Sequence, residues 1–268
     1  MNEGTTSSRP GSARPLGLIT NDPAALPIAE RLAAAGRRVI CLQLQPAPRR
    51  AHSSPLLEAA ANVADIARQC DTVAIAIDDM PVLREILLGD EDRGSLAAEL
   101  PSGSCLIDFG MHPPRELQSI LGLVGIRGIG VVDAAVLGGA DALAQGSAKV
   151  LAGGFPDAVD AVMPVLCELG IVERTGPLGS AQTAAALMGY VEAAHFAART
   201  EAISVGAQLG IKSSSLNRIF DEAPEAENVI LFQRRAEFAR RLAHGRGLDG
   251  EVISFLRLRP AAPPNESR

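Results

Sequence analysis

Short apolar runs alternate with helix-like segments through the first two thirds of the chain, and this alternation limits the folds open to it. The apolar runs are residues 16–19, 39–42, 71–77, 105–108, 130–134, 148–151 and 171–173. The helix-like segments are residues 23–35, 56–68, 82–88, 95–100, a stretch after Pro113 and Pro114, and residues 156–169. Strands and helices alternating at these lengths predict an α/β fold, with a doubly wound parallel sheet covered by helices on both faces.

The last third of the chain has a different character. Residues 180–209 form one Ala-rich stretch without proline, and they predict a single long helix that ends at Gly210. A second helix is expected from Ser213 to Asp221, then a break at 223–225 and an Arg-rich helix at 227–244. We expect a tail at 1–14, a sheet domain at 15–178, a helical domain at 179–258 and a tail at 259–268, both tails being disordered.

Composition excludes several function classes. The 268 residues include 25 basic and 31 acidic side chains, a net charge of −6, and only 3% are aromatic. A nucleic-acid binder that uses a basic face or a stacking platform is therefore not expected. The first 15 residues lack the apolar region of a secretory signal, and no apolar stretch is long enough to span a membrane. The sequence thus predicts a cytoplasmic protein without a membrane partner.

The cysteines give no metal signature. Cys41, Cys70, Cys105 and Cys167 form no Cys-x-x-Cys pair and have no histidine at metal-ligand spacing. They are interpreted as buried small hydrophobic residues in a reducing compartment, and no metal cofactor is expected.

The link between the first strand and the first helix reads Thr20-Asn21-Asp22-Pro23. An acid followed by proline is typical of a helix start, with Asp22 as the N-cap and Pro23 in the first turn. The Asp22 carboxylate is therefore expected to accept hydrogen bonds from the free N–H groups at this helix N-terminus.

Several strings, in this order and spacing, resemble the β-hydroxyacid dehydrogenase family, which includes 3-hydroxyisobutyrate dehydrogenases and 6-phosphogluconate dehydrogenase-like proteins. The strings are residues 132–139, 144–146, 153–154 and 176–179. The resemblance extends over roughly residues 15 to 220. It implies a Rossmann-like NAD(P)-binding domain, an α-helical C-terminal domain and a homodimer that binds a small molecule, for which a carboxylate is one candidate.

The family's phosphate-binding glycines correspond here to Thr20, Asp22 and Ala25. A carboxylate at this place would repel a pyrophosphate by a few kcal/mol, on the order expected for charges about 4 Å apart near a surface. NAD or NADP binding is therefore expected to be weakened or lost, although binding in an altered pose stays open. The candidate cofactor-binding residues are therefore Thr20, Asn21, Asp22 and Arg49. Arg49 is either a phosphate ligand or a solvated loop charge.

The family's proton-transferring lysine corresponds to Ala185, and its asparagine corresponds to Met188 or Gly189. Alanine cannot transfer a proton. The chain has only two lysines, Lys149 and Lys212, and neither can take this position by a local shift along the helix.

Other side chains of the same helix are candidate replacements for the missing lysine. Tyr190 and Glu192 are candidate catalytic proton donors, with His195 as a third possibility, although such residues are commonly structural. Gly138 and Gly139 are candidate substrate-binding residues, together with Met188 and Gly189 in the helix. A tight turn would by itself explain both Gly138 and Gly139.

Three functions remain open from the sequence. The first is a divergent NAD(P)-dependent oxidoreductase with another proton donor, as in imine reductases. The second is a non-catalytic homologue that binds a ligand or an active partner subunit. The third is a non-redox enzyme that uses the same cleft through Asp22, Asp78, Asp79 or His112.

Overall fold

The computed structural model describes residues 14–45, 54–89 and 95–222. The chain divides into two compact units, Met1–Leu187 and Met188–Arg268, and each is considered by itself. Residues 1–13 of the predicted N-terminal tail, the predicted C-terminal tail, Arg49 and the predicted Arg-rich helix at 227–244 lie outside the described residues.

An eight-stranded sheet forms the centre of the first unit within the described ranges. Its strands are β1 Leu16–Thr20, β2 Val39–Gln43, β3 Leu57–Ala59, β4 Thr72–Ala76, β5 Cys105–Asp108, β6 Gly130–Leu137, β7 Ala148–Gly154 and β8 Gly170–Gly176. Their spatial order is β3-β2-β1-β4-β5-β6-β7-β8. Because the chain first builds outward from β1 to β3 and then resumes at β4 on the other side of β1, the order reverses between β1 and β4.

Helices cover both faces of the sheet. They are α1 Leu26–Ala34, α2 Val63–Gln69, α3 Met80–Leu88, α4 Leu96–Glu99, α5 Pro114–Gly125, α6 Gly139–Gln145 and α7 Pro156–Leu169. Residues of α1, α6 and α7 share one apolar core with alternate strand residues, while residues of α2 to α5 share the other. The predicted Rossmann-like, doubly wound architecture is confirmed, with one strand pair that differs.

That pair is β6 and β7, which run antiparallel, whereas all the other neighbouring strands are parallel. Only residues 138–147 connect β6 to β7. A parallel crossover needs a dozen or more residues, so a connection this short returns the chain in the opposite direction.

Two local predictions were wrong. Residues 56–68 do not form one helix: Leu57–Ala59 is a strand that pairs with β2, and α2 begins only at Val63, after the Asn62 cap. The Gly/Ala-rich segment between β6 and β7, where no helix is predicted from the sequence, contains the helix Gly139–Gln145. In the first case burial of Leu57 against the sheet outweighs the helix propensity of the alanines around it.

Within the described part of the chain, two helices follow β8: α8 Ser180–Gln208, which begins in the first unit, and α9 Ser213–Glu222 in the second. Gly210 has a φ of +85°, as expected for the residue that ends a helix. Within the second unit, Arg199 of α8 forms an ion pair with Asp221 of α9 at 2.7 Å. Among the described residues, no helix combines the length and the apolar character that a membrane span requires.

Candidate functional site

A cleft of about 310 Å³ opens at the carboxyl ends of the parallel strands, where the strand order reverses. Open α/β sheets bind their ligands at this position because the chain there leaves neighbouring strands in opposite directions. The cleft is lined by Asp22, Ala24, Ala25, Pro27, Ile28, Ala76, Asp78, Phe109, Met111, Val136, Gly139, Ala140 and Leu143. The fold thus positions parts of the β1–α1 turn, the β4 and β5 ends and the Gly139 turn around one space.

The β1–α1 turn uses its own backbone donors. The Asp22 N–H donates to Thr20 Oγ1 at 3.0 Å, and the Ala24 N–H donates to Asp22 Oδ1 at 2.8 Å. The next two N–H groups, of Ala25 and Leu26, donate to the carbonyls of Asp22 and Pro23 in a 3₁₀ turn before α1. The predicted N-cap role of Asp22 is confirmed, and these N–H groups are already hydrogen-bonded inside the turn.

The charges of the cleft also matter for a nucleotide cofactor. Among the described residues, its lining contains two carboxylates, Asp22 and Asp78, and no arginine or lysine. Asp78 Oδ1 accepts a hydrogen bond from the Met111 N–H at 2.8 Å and so holds the β5 loop at the cleft. Because a pyrophosphate is anionic and needs N–H donors or cations, the described residues of this cleft do not fit the usual mode of dinucleotide binding.

A buried acid and a buried histidine lie at the carboxyl end of β5, next to the cleft residues Phe109 and Met111. Asp108 and His112 have completely buried side chains, with Asp108 Oδ1 3.8 Å from His112 Nε2. Burial raises the pKa of Asp108 well above its usual value, although the Gly110 N–H partly opposes this. Burial lowers the pKa of His112. Both groups therefore favour their neutral forms, and His112 is not exposed as a catalytic base.

Gly138 and Gly139 have φ values of +107° and +75°. Such left-handed backbone favours glycine, so the turn itself requires both residues. Gly139 lines the cleft, which leaves it placed to contact a ligand.

The N-terminus of α8 is held by Asp133 of β6, a role that the sequence analysis missed. The Gly179 N–H donates to Asp133 Oδ1 at 2.6 Å, and the Gln182 N–H donates to Asp133 Oδ2 at 3.0 Å. The Gln182 side chain also donates to the Ala134 carbonyl at 2.8 Å. The available signal was an acidic residue, Asp133, inside the otherwise apolar strand Gly130–Leu137.

Ala185, in the place of the family lysine, packs into a small apolar cluster. Its core members are Ala135, Leu151 and Ala181, with Leu137 and Ala184 also against it. The other candidates on α8 lie in the second unit, where Met188, Gly189, Tyr190, Glu192 and His195 are all exposed. Among the described residues, no three His, Cys, Asp or Glu side chains form a group suited to a metal ion.

The predicted environment of the cysteines holds for three of the four. Cys41, Cys70 and Cys105 are buried, and burial raises the pKa of Cys41 and Cys70 to about 11. Cys167 is exposed.

Comparison with known families gives a match to the NAD-binding domain of 6-phosphogluconate dehydrogenase over residues 26–176. The match begins at the first residue of α1 and so does not include β1 or the β1–α1 turn. It covers more than half of the chain.

Solved structures with the same fold include oxidoreductases of related kinds. An oxidoreductase from Mycobacterium avium 104 has a TM-score of 0.75 and 19% identity, over 90% of this chain and 95% of that one. An imine reductase from Myxococcus stipitatus, in complex with NADP⁺, has a TM-score of 0.70 and 16% identity, over 90% of this chain and 91% of that one. The 3-hydroxyisobutyrate dehydrogenase from Mycobacterium tuberculosis, with L-serine, has a TM-score of 0.67 and 17% identity, over 91% of each chain.

Proposed function

Because the chain belongs to the family of the NAD-binding domain of 6-phosphogluconate dehydrogenase, we propose that it is a divergent oxidoreductase-family protein without the usual dehydrogenase activity. In this proposal it is a non-catalytic homologue that binds a small molecule in the cleft of its sheet domain. NAD or NADP binds weakly or not at all.

The β1–α1 turn carries this proposal. The N–H groups of residues 22, 24, 25 and 26 donate within the turn, and the Asp22 carboxylate occupies the helix start. A pyrophosphate would have to displace these hydrogen bonds and lie beside the Asp22 and Asp78 carboxylates. Ala185 adds to the argument, because a methyl group offers no acid or base for proton transfer at the alcohol or carbonyl oxygen.

A nucleotide titration tests the proposal. NADH and NADPH are added to the full chain up to millimolar concentration, with binding followed by nucleotide fluorescence and by calorimetry. We expect no saturable binding by the natural chain. The triple variant Thr20→Gly, Asp22→Gly, Ala25→Gly removes the carboxylate and the side chains at the three glycine positions, and it should gain binding by about tenfold or more, equivalent to about 1.4 kcal/mol.

Asp79→Gly is the matched control. Asp79 caps α3 by accepting from the Val82 N–H at 3.1 Å, but it does not line the cleft. Its loss should reduce stability without creating nucleotide binding. Micromolar binding of NADH or NADPH by the natural chain would contradict the proposal.

The second candidate is an NAD(P)-dependent oxidoreductase with a different proton donor, similar to an imine reductase. The position of the cleft favours it, because the cleft lies where the strand order reverses, and structurally similar imine reductases bind NAD⁺ or NADP⁺. Tyr190 and Glu192 are then the proposed donors. NADPH-dependent reduction of 2-methyl-1-pyrroline that is lost in Tyr190→Phe or Glu192→Gln would establish this function in place of the first.

A further inference from the structure

A second cavity, of about 560 Å³, lies in the first unit where β7 and β8 end. Its lining includes Gly154 and Gly176, the last residues of these two strands. Gly154 is paired with Val132 near the start of β6, whereas the cleft contains Val136 near the end of β6. Four residues of a strand span about 13 Å. The second cavity is therefore separate from the cleft and lies toward the opposite edge of the sheet.

The walls of the second cavity are mainly apolar, and its volume is typical of a small-molecule site. The apolar wall residues are Ala152, Phe155, Pro156, Val159, Pro177 and Leu178. Phe155 is 77% exposed, so most of its ring is available to a ligand. An available aromatic ring beside an apolar space favours a second planar ring, because offset-stacked and edge-to-face ring pairs attract each other.

The second cavity is formed by close contacts within the protein. Gln118 of α5 donates from Nε2 to the Leu178 carbonyl at 2.8 Å and so fixes one wall. Gly154 allows β7 to lie close to β6, because a Cβ there would be 2.8 Å from the Val131 carbonyl oxygen. Pro156 begins α7 directly beside this point. A site that exists before its ligand arrives loses less entropy when the ligand binds.

Arg174 is the single charged side chain among the described residues that line the second cavity. Its Nη2 donates to Asp160 of α7, which does not line the cavity. Both side chains of this pair are exposed, and exposed ion pairs contribute little to stability, so Asp160 does not exclude another acid. A guanidinium has five N–H donors. Arg174 therefore keeps donors for the carboxylate of a ligand, which a guanidinium binds through strong, charged hydrogen bonds.

We propose that the second cavity binds a small aromatic carboxylate, a planar ring that carries one acid group. The ring contacts Phe155, Val159 and Leu178, which remove it from water. The acid group accepts hydrogen bonds from Arg174, and a single cation suits a single negative charge. This site goes beyond the proposed function, which concerns the cleft, and it needs no nucleotide.

The absence of tryptophan from the chain allows a local test. Phe155→Trp places one tryptophan at the second cavity, and Met111→Trp places one at the cleft, both at exposed positions. Each variant is labelled with 5-fluorotryptophan and titrated, without nucleotide, with 4-methylbenzoate, its neutral amide 4-methylbenzamide, or cyclohexanecarboxylate. We expect a saturable ¹⁹F NMR shift of the Phe155→Trp signal with 4-methylbenzoate, and weaker binding of the amide and of the aliphatic acid. The Met111→Trp signal should not shift.

Charge variants separate recognition of the acid from folding. Arg174→Met should weaken binding of 4-methylbenzoate about tenfold, equivalent to about 1.4 kcal/mol, and leave binding of the amide unchanged. Arg127→Met is the matched control, because Arg127 is exposed and does not line the cavity. Asp160→Asn removes the competing carboxylate and should bind the acid at least as tightly as the natural chain. Calorimetry with the natural chain measures the same binding without a tryptophan.

Several outcomes would overturn this site. They are no saturable binding of 4-methylbenzoate by the natural chain, equal binding of the acid and the amide, equal binding of cyclohexanecarboxylate, and unchanged acid binding in Arg174→Met. A shift confined to the Met111→Trp signal would place the acid in the cleft and would also contradict the proposal. None of these results depends on NADH or NADPH, so the failure of this site and the failure of the proposed function are distinguishable.

Discussion

At the scale of single residues, Asp108 is the position where charge and burial oppose each other most clearly. Its Oδ1 accepts from the Gly110 N–H at 3.2 Å, while its buried Oδ2 has no hydrogen-bond partner among the described residues. Burial raises its pKa, and the charges of Asp133 and Asp78 raise it further. The folded protein therefore binds a proton at Asp108 at pH values where the unfolded chain has already released it.

The sign of the resulting pH dependence follows from linkage. As pH rises from about 4, the usual pKa of an unfolded aspartate, stability should be lost until the pH reaches the raised pKa of the folded protein. Each unit by which the pKa is raised corresponds to about 1.4 kcal/mol. Asp108→Asn is uncharged and keeps the Oδ1 acceptor. We expect its free energy of unfolding to fall less than that of the natural chain over this range, in urea denaturation at several pH values.

The exposed Asp141 provides the control for this prediction. Asp141→Asn makes the same chemical change at an exposed site, so the difference between the two variants isolates the effect of burial. If Asp108→Asn retains the full pH dependence of the natural chain, the buried charge of Asp108 is not its source.

Residues also differ in how far the sequence determines their role. Asp22 could be predicted as a cap because its partner, Ala24, is only two residues away. Arg174 could not be placed at the second cavity with Phe155, because this needs the register of three strands and the antiparallel direction of one pair. Asp133 is similar, since its hydrogen-bond partners lie 46 and 49 residues further along the chain.

At the scale of elements, the N-terminus of α8 is fixed to the sheet through one carboxylate. Asp133 accepts hydrogen bonds from Gly179 and Gln182, and Ala181 is fully buried against the β6–β7 face. Gly153, the neighbour of Asp133 on β7, leaves the necessary space, because a Cβ there would lie 2.5 Å from Asp133 Oδ1. The position of the α8 N-terminus on the sheet thus depends on a small number of close contacts.

Asp133→Ala should therefore be strongly destabilising. It removes both hydrogen bonds and leaves two buried N–H groups without their acceptor, which costs about 2–4 kcal/mol. Asn62→Ala removes the cap of the shorter helix α2, where Asn62 Oδ1 accepts from the Asp65 N–H at 2.9 Å, and should cost about 1 kcal/mol. Urea denaturation of both variants measures the difference. Equal losses would show that Asp133 is only an ordinary cap.

Elements also show why part of the fold could be predicted. The boundaries of α7 follow from its own sequence, since Pro156 opens the helix and Gly170 comes directly after it. Strand β3 could not be predicted, because its three residues are stabilised by pairing with β2 at the edge of the sheet rather than by their own propensity. The direction of β7 depends on the length of the connection before it, which the sequence indicates only once both strand ends are known.

At the scale of the whole molecule, the exposed part of α8 bears on whether the chain associates with a second copy of itself. Residues 186–197 are exposed on all sides of the helix, yet they include Leu187, Tyr190 and Phe196, which are 63%, 69% and 74% exposed. A helix that is apolar around its whole circumference is normally buried. We propose that a second copy of the chain covers this part of α8, as the family resemblance implies for a homodimer.

The oligomeric state tests this proposal. Light scattering after gel filtration should give about twice the chain mass of 27.9 kDa. The double variant Leu187→Glu, Phe196→Glu places two charges on the exposed part of α8, and burying them in an interface would cost several kcal/mol, on the order seen for unpaired charges. It should therefore be a folded monomer. Ile219→Glu, at an exposed apolar position on α9, is the control and should remain dimeric. A natural chain that is monomeric at micromolar concentration would contradict the proposal, because residues 186–197 would then be exposed to water in the folded protein.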